Sequence, residues 1–120
     1  MQHRLMQLKI KLFLLLFYTA VVAITTLAFL PDYDALPPIV SFSDLLNHTV
    51  AFTTLFILLR FAHPTLQVYY TFGILLTYAF WIELVQYFLP TRFASWSDIG
   101  ADSVGLVLGF IILRLLQRKS

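Results

Sequence analysis

The apolar positions of this chain fall into four long runs, and all five of its prolines lie in the three breaks between them. The runs cover about residues 10–30, 44–61, 65–89 and 98–116. Each is close to or above the ~20 residues that a helix needs to cross a hydrocarbon core of ~30 Å. Apolarity sustained all round, rather than in a stripe at helical spacing, is the pattern of a helix with lipid on several sides. Only helices and closed barrels satisfy their backbone in lipid, and runs of this length belong to helices. The pattern predicts an all-α, polytopic membrane protein: a bundle of four transmembrane helices, forming a single domain over residues 1–120.

Composition sharpens the class. The chain is 60% hydrophobic and 12% charged over 120 residues, well outside the balance of a soluble domain. The first run follows Arg4, Lys9 and Lys11, as a signal peptide would. It is too long for one, though, and has no small-residue cleavage site before Pro31, so it is expected to stay as a span. Thr19, Thr25 and Thr26 are its polar breaks, and helical threonines can satisfy their hydroxyls on the backbone.

Charge then orients the bundle. With four spans, both termini and the turn near His63-Pro64 share one side, and the two longer loops share the other. The first side holds seven of the eight Lys and Arg residues, and the second holds Arg92 alone. Short cytoplasmic segments carry the excess of basic residues, so both termini are expected in the cytoplasm. The same segregation to chain ends argues against a nucleic-acid surface, which needs an interleaved basic patch. There is no cysteine, which excludes thiol chemistry, and no cofactor is expected.

This topology gathers polar residues from distant parts of the chain. Asp44, His48, Glu83, Gln86, Arg92, Asp98 and Asp102 all fall at or just below the outer surface, and they are the candidate ligand-binding residues. Glu83 lies seven residues before Pro90, about 10 Å down a helix rising 1.5 Å per residue. An acid within a span costs ~2.5–3.5 kcal/mol at mid-bilayer on insertion scales, so it normally faces protein or water and serves a function. Asp44 and His48 stand four residues apart and share a helical face. An imidazole oriented by a carboxylate is the arrangement of general acid–base catalysis, which makes His48 and Glu83 the catalytic candidates.

Arg92 is the one basic residue on its side, and a guanidinium fork matches phosphate and carboxylate. Blander roles stand beside these: Glu83 as an interhelical bond, Arg92 in a salt bridge to Glu83, Asp98 or Asp102, Asp98 as a helix-start acid, and His48 satisfied between packed helices. One histidine among carboxylates suits a divalent ion, but no ligand motif is present and no metal is expected. Asp98, Asp102, Gly105 and Gly109 step by 4, 3 and 4 along one stripe. Gly105-x-x-x-Gly109 lets another helix approach closely, either inside the bundle or in a homodimer.

Taken together, these residues resemble the VanZ-like family of small bacterial membrane proteins, over about residues 44–110. The family's early motif, an Asp at a helix start and a His one turn on, is matched by Asp44 and His48. Its later motif runs Glu-x-x-Gln, Pro-x-Arg, Ser-x-x-Asp, an Asn or Asp, then Gly-x-x-x-Gly. Glu83, Gln86, Pro90, Arg92, Ser95, Asp98, Asp102, Gly105 and Gly109 match it. Leu45 stands where a Lys is usual, and Phe52 where a Tyr is common. The resemblance implies a small multi-pass fold. The family's namesake is associated with low-level resistance to teicoplanin, a glycopeptide that binds cell-wall precursor stems. The expected role is therefore binding or processing of an envelope component: a lipid-linked glycan, a cell-wall precursor or a glycopeptide-related ligand. The expected partners are the lipid bilayer and an anionic lipid or lipid-linked precursor. The alternatives are an intramembrane acid/base enzyme acting on a lipid-linked substrate, and a non-enzymatic assembly or transport subunit.

Overall fold

In a computed structural model the described residues are 1–29, 44–89 and 96–118. They form four helices, α1 (Gln2–Phe29), α2 (Asp44–Ala62), α3 (Val68–Phe88) and α4 (Trp96–Arg118), and among the described residues there is no strand. α1 begins well before its apolar run. At 28 residues it is about 42 Å long by the helical rise, against a hydrocarbon core of ~30 Å. Arg4, Lys9 and Lys11 lie in its first three turns.

α2 is the centre of the bundle. It packs most extensively against α4 and next against α1. Its Phe52, Leu55, Phe56 and Leu59 form the core with Leu75, Ala79 and Ile82 of α3, Leu106 and Leu113 of α4, and Phe17 of α1. Antiparallel packing of α1 on α2 brings Phe13 onto Phe61 at 4.9 Å. The α2–α3 turn is closed by backbone bonds from His63 to Leu59 (2.9 Å) and from Leu66 to His63 (3.0 Å). Arg60, at the end of α2, donates to the Leu66 carbonyl and to Thr71 Oγ1 at 3.3 Å, so its charge holds the turn.

The outer surface is apolar. In the most apolar 18-residue stretch of each span no more than 28% of the residues are buried, and side chains such as Val22, Leu84, Ile111 and Leu115 are exposed. Bare apolar surface on every side of a bundle is a lipid-facing surface. α1 is the least covered helix, at 11%. It is held to α3 by directional contacts: Gln86 Nε2 donates to the Ala28 carbonyl at 2.8 Å, Tyr78 donates to the Val21 carbonyl at 3.3 Å and bonds to Thr25, and Phe29 meets Trp81 edge-on at 5.5 Å.

α4 lies unusually close to α2, and the glycines show why. A Cβ at Gly105 would collide with the backbone carbonyl of Thr49, and one at Gly109 would come within 2.9 Å of Phe56 Cβ. Both glycines are buried against α2 of the same chain. That corrects the expectation of a homodimer through Gly105 and Gly109, because the face it would use is already covered. The approach also lets Thr53 Oγ1 reach the Gly105 carbonyl at 2.9 Å and Thr49 Oγ1 the Ala101 carbonyl at 3.3 Å.

A candidate polar site between three helices

The polar site forms where α2 and α4 begin and α3 ends. His48 lies in the second turn of α2, Asp98 in the first turn of α4 and Asp102 one turn deeper, while Glu83 and Gln86 occupy the last turns of α3. Asp98 and Asp102 are four residues apart and so share a helical face. The close α2–α4 approach sets that face against His48. His48 Nδ1 is 2.7 Å from Asp102 Oδ1, and Nε2 is 3.9 Å from Asp98 Oδ2. An ionised carboxylate only accepts, so with Asp102 ionised Nδ1 donates to it. Nε2 faces Asp98.

Glu83 closes the group from α3. His48, Glu83 and Asp98 each present one nitrogen or oxygen, all within 4.8 Å of one another. Burial grades the cluster. Asp102 is 1% exposed and Glu83 6%, while the side chains of His48 and Asp98 keep 17% and 15%. Asp102 and Glu83 are thus the buried side of the cluster, and His48 and Asp98 its partly exposed side. Asp102 Oδ2 and Gln86 Oε1 are buried without a hydrogen-bond partner among the described residues. A polar atom in that condition carries a penalty of about 1–3 kcal/mol unless something else satisfies it.

The sequence candidates thus separate into groups. His48, Glu83 and Asp98 converge, and Asp102 meets His48 at its Nδ1. Gln86 sits one turn further along α3, with its amide nitrogen tied to α1. Asp44 opens α2, but its side chain lies outside the described residues, as do Arg92, Pro90 and Ser95 altogether. The expected pairing of Asp44 with His48 lies outside the described residues; among those described, the carboxylate at hydrogen-bond distance from His48 is Asp102, across the helix interface. Two residues that sequence reasoning passed over are Thr49 and Thr53. Their signal was present: two threonines four apart on α2, at the spacing of the two glycines on α4.

Four apolar spans enclosing one buried polar cluster define a small multi-pass α-helical membrane protein. Within that class, the chain belongs to the VanZ/LLP1 family, whose profile matches residues 4–117. It has no significant match among curated proteins and none among solved structures.

Proposed function

We propose that this VanZ-family protein sits in a bacterial inner membrane with both termini in the cytoplasm, and that its polar site receives the headgroup of a lipid-linked envelope component. One observation carries the reading. His48 is held through Nδ1 by Asp102 at 2.7 Å, while its other nitrogen looks toward a carboxylate it does not bond, 3.9 Å away. A helix-packing network would pair both nitrogens closely; a binding site leaves one for a guest. Arg92 follows α3 by only a few residues and is the natural contact for an anionic headgroup.

The same observation favours a second reading, acid/base processing of that headgroup. In it Asp102 orients the imidazole, Nε2 takes a proton from a bound hydroxyl or water, and Glu83 is the second proton-handling group. The assembly-subunit alternative draws less support, because the glycine seam it would use packs α4 on α2.

Native mass spectrometry of the full chain with its co-purified lipids tests the reading. The wild type is expected to carry a defined phosphate-bearing lipid that His48→Ala and Glu83→Gln lose while remaining folded and inserted. The same unselective lipids on all three proteins would contradict it.

A further inference from the structure

We propose that His48 Nε2, Glu83 and Asp98 form a divalent-cation site, with Asp102 as the partner that fixes the imidazole from behind. Three ligand atoms no more than 4.8 Å apart all lie within about 2.8 Å of a common point, against Zn–N and Zn–O bonds of about 2.0–2.2 Å. Closing on an ion requires side-chain movements of less than about 1 Å. The ligands come from α2, α3 and α4, the three helices that meet at this end.

Two features beyond the ligand set point the same way. The first is the far side of the ring. Metal-bound histidines characteristically donate their other nitrogen to a carboxylate, which sets the tautomer and raises the basicity of the ligating nitrogen. The 2.7 Å contact from Nδ1 to Asp102 Oδ1 is that arrangement, and it leaves Nε2 on the side of Asp98. The second is charge. Asp102 is 1% exposed, yet its Oδ2 has no hydrogen-bond partner among the described residues, and Asp98 and Glu83 stand beside the same imidazole. Among the described residues, His48 is the basic side chain beside Asp98 and Asp102.

The other described basic groups are remote. Arg60 and Arg114 are each twelve residues along their helices from His48 and Asp102, about 18 Å by the helical rise. Buried carboxylates that stay ionised are paired or coordinate metals, and a dication suits a site where an imidazole and carboxylates converge. One nitrogen and carboxylate oxygens suit a first-row ion of the Zn²⁺ or Mn²⁺ kind better than Mg²⁺ or Ca²⁺, which prefer all-oxygen sites.

The cation also resolves a conflict within the functional reading. Three carboxylates would repel a phosphate headgroup, whereas a bound dication would attract and bridge to it. Binding of the cation stands without the envelope-lipid reading; the bridge to phosphate rests on it.

The test is a calorimetric titration of Zn²⁺ alone into the chelator-treated full chain in detergent. One Zn²⁺ per chain is expected, weakened about tenfold or more by Asp98→Asn, by Glu83→Gln and by the positioning change Asp102→Asn, with His3→Ala unaffected. Zinc X-ray absorption of the wild type is expected to show one imidazole in an N/O shell, a readout that does not depend on the variants folding. The absence of stoichiometric binding, a shell without imidazole, or binding lost with His3→Ala and kept in the site variants would each overturn the proposal. Zn²⁺ bound at the site in a protein that carries no phosphate-bearing lipid would uphold the cation and overturn the bridge.

Discussion

One imidazole and three carboxylates meet between α2, α3 and α4, and the shortest contact among them, His48 to Asp102, is the one to perturb. A double-mutant cycle with His48→Phe and Asp102→Leu isolates it. We expect a coupling of about 1–2 kcal/mol in unfolding free energy, near the upper range for interhelical hydrogen bonds in membranes. A coupling near zero would mean that the two side chains do not act together. The residue types of this site were legible in the chain, because ionisable groups inside apolar runs stand out. Their pairing was not. Sequence spacing offered Asp44, one turn from His48, whereas the carboxylate in contact lies 54 residues away. The proposed ligands are spread over three helices and form no local motif, which is why the chain alone suggested a divalent ion by residue type only.

At the scale of elements, the α2–α4 contact depends on two missing side chains. Gly105→Ala places a methyl against the Thr49 backbone carbonyl, which cannot rotate away as a side chain could, so the helices must part. We expect a loss of about 1–3 kcal/mol in an SDS unfolding titration. Gly100→Ala on the same helix meets nothing within 4 Å and should be neutral, or stabilising by up to about 1 kcal/mol through helix propensity. Equal losses at both positions would remove the packing argument. Gly105→Leu should unfold the chain at unchanged oligomeric mass, since its neighbour is α2 and not a second copy. The four spans were legible because length and apolarity report them directly. The partner of the glycine stripe was not, because a row of small residues fits any helix. Phe52, Phe56 and the two α2 threonines make the choice.

The whole molecule is a narrow bundle, 52 × 25 × 23 Å, with its polar cluster near one end and its described basic residues toward the other. Because the chain has no cysteine, single introduced cysteines report topology cleanly. Gln2→Cys and Gln117→Cys should react with an impermeant maleimide only after cells are permeabilised, and Asp34→Cys should react in intact cells. The reverse pattern would invert the orientation and turn the site toward the cytoplasm. The central claim is that the buried cluster serves a ligand and is not there to hold the helices together. The unfolding free energy of Glu83→Gln in the chelator-treated protein tests it most directly. An acid inside a span costs ~2.5–3.5 kcal/mol at mid-bilayer, and glutamine keeps the shape while removing the charge. The cluster's functional role predicts stability within about 1 kcal/mol of wild type, or above it, as for functional groups kept at the expense of stability. A loss of about 3 kcal/mol or more, as when one partner of a buried ion pair is removed, would contradict it and make the cluster a structural network.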